Sequence, residues 1–443
     1  MRFNSTNQFA ILLLIAFCIY FYSCDSNKAP NQLESINTSH DSIRSEKSFH
    51  QFDKTLVNQI ITRINKYSSD TTQSYEVYLP SDYDTLKSFP LVIFFDAHAR
   101  GKLPLKKYHM LSEKYHFVFV SSNNSQNEMS LAETQKIASA ILKDATARFN
   151  INQNLIFTSG FSGGAKVACT FAFTNSAIRG VIACASPFSE RISEIKNMPQ
   201  IFLLSGNKDF NMLSMVQADL ELSDAGFIHQ LYVYDGIHDW PDEKYFEIAM
   251  KWLITKAVNQ NLIEKKNQPK EIMDFNEWYN TRVTDAVILK QEAAEQQALN
   301  EQFQIWDIPK WNEKIKELKA KEKSSYPSSI RFLASRELNY ISMMGFIYSE
   351  NFLNQNNLKT AKHFLEIYEL ADAKNPDVWF LKAVYYSKSG DNKAAFDCLK
   401  KSAQLGFSDI NRLKNENSFA SLKKTIEYQN LILNTVLLNS EKY

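Results

Sequence analysis

The stretch Phe157-Thr158-Ser159-Gly160-Phe161-Ser162-Gly163-Gly164-Ala165 decides how the chain is read. It has the pattern Gly-x-Ser-x-Gly, with a further glycine behind it. An apolar run at 155–157 leads in, and a helix-like run at 165–173 leads out. The pattern predicts a sharp strand-to-helix turn that exposes the Ser162 hydroxyl at the strand's C-terminal end. Glycines serve there because the backbone passes close to neighbouring elements and leaves no room for a Cβ. The Gly163 amide would point to the same place, at the positive end of the following helix. A tight turn that merely needs glycines would look the same locally, so residues further along the chain decide between the two.

Two strand ends supply those residues. A strand at 201–204 runs into Ser205-Gly206-Asn207-Lys208-Asp209-Phe210-Asn211, which places Asp209 just past a strand end. A strand at 231–234 runs into Asp235-Gly236-Ile237-His238-Asp239-Trp240-Pro241, which places His238 likewise. Strand C-terminal ends are the edge where open parallel sheets build their sites. Asp219 and Asp224 fall on a helix facing the other end. Asp235 is a rival acid because it is close to His238 in sequence. Asp239 reads as a turn residue, and His109 and His116 read as structural.

The surrounding pattern is an alternation of strands and helices. An alternating strand at 74–79 precedes the unbroken apolar run at 89–96, and another strand lies at 117–120. Helices are expected at 106–115, 129–150, 165–174, 212–225 and 243–259, with further strands at 180–184, 200–205 and 230–234. Unbroken apolar strands belong to parallel sheets covered on both faces, so the fold class is α/β with a doubly wound, mostly parallel sheet.

The order Ser162, Asp209, His238, each at a strand end, resembles the α/β-hydrolase family over residues 74–260. The His-x-Trp-Pro ending and the Ser-Gly-x-x-Asp loop resemble the polyhydroxybutyrate depolymerase and feruloyl esterase branches. The resemblance implies Ser162 as nucleophile, His238 as general base and then acid, and Asp209 as the group that orients the imidazole. A free hydroxyl is a poor nucleophile at neutral pH, so the base must take its proton as it attacks. The resemblance also implies an oxyanion hole made by Gly163 and a second amide from residues 96–101. This loop reads Asp-Ala-His-Ala-Arg-Gly where many relatives have His-Gly-x-Gly. Aligning the strand ends makes Ala97 or His98 the donor; His98 and Arg100 either line the site and favour a polar or anionic substrate or are solvated loop residues. No metal or cofactor is implied.

Outside this region the chain carries other signals. Residues 9–22 are an apolar run of 14 residues ending at Ser23-Cys24, followed by Asp25-Ser26-Asn27. The run is short for a membrane span. It resembles a bacterial lipoprotein signal, which implies cleavage after 23, acylation of Cys24 and a lipid-anchored location in the cell envelope. Residues 24–51 are a polar tether. Of the other cysteines, Cys18 lies in the leader, and Cys169, Cys184 and Cys398 read as buried thiols. Lys plus Arg number 50 and Asp plus Glu 49, a net charge of +1, which gives no case for a nucleic-acid partner.

From residue 263 the strands cease. Residues 263–330 read as a helical linker, and 331–443 as paired helices. Trp379, Ala383, Tyr386, the turn Gly390-Asp391 and Ala395 resemble the tetratricopeptide repeat, and Gly345, Tyr348 and Ala361 mark a looser unit before it. Lys382 and Ser402 depart from the repeat pattern. The expectation is a membrane-anchored serine hydrolase (residues 52–262) with a helical module that could hold a protein partner. Its substrate would be an extracytoplasmic ester, an acylated glycan among the candidates. A peptidase or amidase using the same three residues, or an inactive hydrolase fold that works through its repeats, are the alternatives.

Overall fold

The structure, a computed structural model, describes residues 56–262 and 286–442 except Thr71, Glu128, Lys196 and Ser324. The leader, Cys18, Cys24, the whole tether and Trp278 lie outside the described residues. Among the described residues no helix is long and apolar enough to cross a membrane.

Eight strands form one sheet: β1 (Ile60–Ile64), β2 (Ser74–Tyr78), β3 (Phe89–Phe95), β4 (Val118–Ser122), β5 (Ile151–Phe161), β6 (Ile178–Cys184), β7 (Gln200–Gly206) and β8 (His229–Tyr234). Their order is β1-β2-β4-β3-β5-β6-β7-β8. Strands β3 to β8 are mutually parallel, and β2 runs antiparallel to both neighbours. This is the mostly parallel α/β sheet that the strand–helix alternation predicts. Among the described residues the α-helices of this half are α1 (Lys102–Tyr115), α2 (Leu131–Arg148), α3 (Gly163–Thr174), α4 (Met212–Asp224) and α5 (Glu243–Asn259).

The unbroken apolar strands are explained by two cores. Leu91, Ile93 and Phe95 of β3 pack with α2, α3 and α4, whereas Val92 and Phe94 pack with α1 and α5. Each buried side chain of this size contributes roughly 1.5–3 kcal/mol. Strand β1 is the element that the sequence pattern does not announce. It is a short edge strand whose side chains are largely only half-buried, so its period is weak.

The second half is helical: α6 (Ala286–Gln302), α7 (Ile308–Lys321), α8 (Ser328–Asn354), α9 (Leu358–Asp372), α10 (Pro376–Lys388), α11 (Asn392–Gln404), α12 (Ile410–Asn415) and α13 (Ile426–Lys442). Among the described residues no strand lies beyond Tyr234. Helices α8 and α9 form one antiparallel pair and α10 and α11 the next. Gly345 allows the first pair its close approach, since a Cβ there would come within 2.8 Å of the Tyr368 Cβ. The two departures from the repeat pattern are satisfied locally: Lys382 pairs with Glu369 at 2.6 Å, and the Ser402 hydroxyl donates to the Pro376 carbonyl at 2.8 Å. Trp311, Phe303 and Leu299 of the 263–330 segment join a core with α8 and α9, so this segment is in part integral to the module. Cys169, Cys184 and Cys398 are buried free thiols.

Candidate active site

Strand β5 ends at Phe161 and α3 starts at Gly163, so Ser162 alone makes the turn. Its backbone sits at φ 54°, ψ −121°, a region L-residues rarely adopt. Glycines on either side make this turn possible. A Cβ on Gly160 would lie 2.0 Å from the Gly164 carbonyl oxygen, and one on Gly164 would lie 2.1 Å from that of Phe95. The Ser162 amide donates to the Cys184 carbonyl at 2.9 Å and anchors the turn to the end of β6.

The Ser162 Oγ lies 3.0 Å from His238 Nε2, and His238 Nδ1 lies 2.9 Å from Asp209 Oδ1. The three sequence-nominated residues therefore form one chain of contacts. Asp209 is fully buried, whereas the His238 side chain keeps 17% exposure. The Asn211 amide donates to Asp209 Oδ1 at 2.8 Å; Asp209 Oδ2 is buried with no partner among the described residues. The imidazole is flanked by the rings of Phe210, at 4.1 Å between centroids, and Phe161, at 4.9 Å.

Asp209 and His238 meet because the loops after β7 and β8 are bonded to each other. The amides of Asn207 and Lys208 donate to the carbonyls of Tyr234 (2.8 Å) and Gly236 (2.9 Å). Gly206 permits this approach, since a Cβ there would lie 2.4 Å from the Gly236 oxygen. Asp235, the rival acid, is turned outward and pairs with Lys208 at 2.9 Å. Asp219 pairs with His229 at 3.3 Å, away from His238. Asp239 accepts from the Trp240 amide at 2.7 Å, as a turn residue does. His109 bonds the Lys106 carbonyl, and His116 ends α1 against Asp82.

The loop after β3 holds a residue whose role is not visible in the sequence. Asp96 is fully buried, and its carboxylate accepts from the His98 amide (2.9 Å), from Arg100 Nε (2.8 Å) and Nη2 (3.0 Å), and from the Trp240 indole (2.8 Å). Burial alone would raise its pKa. The hydrogen bonds and charge of Arg100, with the indole and the amide, outweigh that and hold the carboxyl below its ordinary value. A buried carboxylate with five donors, the Arg100 amide at 3.4 Å among them, thus shapes a loop in which glycines were expected. The signal in the sequence was Asp96 itself, a charged residue closing an apolar strand where a glycine pattern was expected.

Two expectations for this loop change. The His98 amide is engaged by Asp96, which leaves Ala97 as the candidate second oxyanion donor. Among the described residues the amides of Ala97 and Gly163 carry no acceptor. The first turn of α3 lies against the end of β3, which brings the two segments together. Arg100 was expected to face substrate, yet Nε and Nη2 of its guanidinium are held by Asp96, so its main contact is within the loop. Cys24 lies outside the described residues.

No family model matches the sequence, and no curated protein does. Solved structures do show likeness. An S-formylglutathione hydrolase from Staphylococcus aureus matches at 14% identity and TM-score 0.38, over 45% of this chain and 98% of the other. A ferulic acid esterase matches at 15% identity and TM-score 0.36, over 43% and 94%. A hyperthermophilic esterase from the archaeon Pyrobaculum calidifontis matches at 10% identity and TM-score 0.37, over 47% and 88%. The chemistry inferred for this chain rests on the geometry of its own site.

Proposed function

We propose that this chain is a serine hydrolase that cleaves carboxylic esters through an acyl-enzyme. The observation that supports this most is the unbroken Asp209–His238–Ser162 contact chain, with links of 2.9 Å and 3.0 Å, at the C-terminal edge of a parallel sheet. Ser162 Oγ attacks the ester carbonyl carbon while His238 Nε2 takes its proton. The carbonyl electron pair moves to oxygen, where the amides of Gly163 and Ala97 receive it. Collapse expels the alcohol, which takes the proton from His238. Water then repeats the sequence against the acyl-enzyme and returns the acid and a free Ser162. Buried Asp209 keeps the imidazole in the tautomer that accepts at Nε2.

Hydrolysis of a panel of p-nitrophenyl esters beside peptide anilides tests this reading. Ester turnover that Ser162→Ala abolishes is the expected result. Turnover of anilides alone would make the chain an amidase, and turnover of neither would remove the enzyme reading.

The apolar 9–22 segment ending at Ser23-Cys24 supports a second proposal, that Cys24 is the acylated first residue of the mature protein. Cys24→Ala should then shift the protein from the membrane fraction to the soluble fraction. Unchanged membrane association would contradict it.

A further inference from the structure

We propose that the helical module is part of the active site, with Arg336 as a positioning residue that holds Asp209 in place through the backbone of Asn207. This rests on the serine hydrolase reading and adds a dependence that reading does not require.

Asn207 and Lys208 immediately precede Asp209. Their amides face inward and donate to the loop after β8. Their carbonyls face the module. Arg336 Nη1 of α8 donates to the Asn207 carbonyl at 2.6 Å, and Asn339 Nδ2, one turn further on, donates to the Lys208 carbonyl at 3.0 Å. Both residues are thus gripped from both sides. Arg336 is itself fixed: its Nε and Nη2 each donate to Glu292 of α6 at 2.6 Å. The ion pair is nearly buried, with side-chain exposures of 11% and 9%. A guanidinium fork with its Nε and both amino groups engaged is rigid and has little freedom to follow a moving loop.

Phe210 gives a second, independent link. Its ring contacts the His238 imidazole at 4.1 Å between centroids, and it also packs against the core formed by α6 to α9. One aromatic residue therefore touches the proposed base on one side and the module on the other. The Lys208 ammonium lies 5.5 Å from the centre of the Phe332 ring of α8. On another part of the interface, Asp377 at the start of α10 comes within electrostatic reach of His98 in the loop after β3.

Release of these contacts would leave the 206–211 loop held through the loop after β8 and through Asn211 Nδ2, which donates to the Ala185 carbonyl at 2.8 Å, with nothing from the module on the carbonyls of Asn207 and Lys208. Small displacements of a catalytic group lower turnover much more than they lower binding. The expected signature is a fall in kcat with KM preserved.

The test uses the full chain and p-nitrophenyl butyrate, with the labelling rate of a fluorophosphonate probe as second readout. Arg336→Ala should lower kcat about tenfold or more, with KM changed by less than about twofold. Asn339→Ala, which removes a single neutral bond, should lower kcat about threefold. Methylguanidinium should restore part of the Arg336→Ala loss, which a generally loosened structure would not show. Lys382→Ala breaks an ion pair inside the module and should leave kcat unchanged. Arg336→Ala leaves Glu292 unpaired; if it fails to fold, Arg336→Lys and Asn339→Ala decide by the same readouts, the lysine variant falling between alanine and wild type. Wild-type kcat in the folded Arg336 and Asn339 variants overturns the positioning role while the hydrolase reading stands. Absence of Ser162-dependent labelling in the wild type overturns both.

Discussion

The Trp240 indole N–H donates to the Asp96 carboxylate at 2.8 Å and ties the loop after β3 to the loop after β8. One bond thus connects the segment carrying the proposed oxyanion donor Ala97 to the segment carrying His238. The connection is reinforced from α1, where Lys107 Nζ and the Tyr108 hydroxyl donate to the carbonyls of Trp240 (2.8 Å) and Pro241 (2.6 Å).

Trp240→Phe keeps an aromatic ring in this position and removes only the indole donor. A hydrogen bond to a buried charge is worth about 1.5–3 kcal/mol, so the unfolding free energy should fall by that order. Because the bond joins both halves of the site, kcat should fall as well. Urea unfolding and ester turnover measure the two effects. Stability loss with unchanged kcat would make the bond a structural tie alone.

Ser162 occupies φ 54°, ψ −121°, which a glycine adopts without strain. Such strain costs on the order of 1–3 kcal/mol. Ser162→Gly should therefore abolish turnover and raise the melting temperature, whereas Ser162→Ala should abolish turnover without that full gain. Equal melting temperatures for the two variants would mean that the turn stores no strain.

Gly160→Ala should be among the most damaging small substitutions. The new Cβ would meet the Gly164 oxygen at 2.0 Å, and neither backbone can yield without moving the end of β5 or the start of α3. Overpacking of this kind costs about 1–3 kcal/mol or more. Gly226→Ala is the useful contrast: its φ is +74° with nothing within 4 Å, so only the backbone preference opposes it. Thermal denaturation should rank Gly160→Ala well below Gly226→Ala.

His229 gives a pH-dependent contribution. Burial would lower its pKa, but the hydrogen bond and charge of Asp219, with the Phe227 carbonyl, raise it above the ordinary value of 6.5. A pKa raised in the folded state stabilises most below the unfolded value, and the effect fades as pH rises through the folded value. His229→Gln should therefore cost more stability at about pH 5.5 than at about pH 9. Melting curves of both proteins at the two pH values check the sign, and an equal difference at both would contradict it.

The parts of the site that are legible in the sequence are those written along one dimension. Ser162, Asp209 and His238 stand out because chain order and strand ends survive in a linear string. The unbroken apolar run at 89–95 likewise announces a strand covered on both faces. Asp96 resists such reading because its five donors come from positions 98, 100 and 240, which only the fold brings together. Arg336 is harder still: in sequence it is one charge on a long helix, and only docking against Asn207 and Glu292 sets it apart. Strand β1 is missed for the opposite reason, since an edge strand buries too little to impose a strict period.

The central claim is that Ser162 is a nucleophile activated by His238. The most direct measurement is the reaction of the purified full chain with a fluorophosphonate probe, with identification of the modified peptide. The predicted result is a single adduct on Ser162, absent from Ser162→Ala and strongly slowed in His238→Ala. No adduct in the wild type, or labelling that persists in Ser162→Ala, would contradict it.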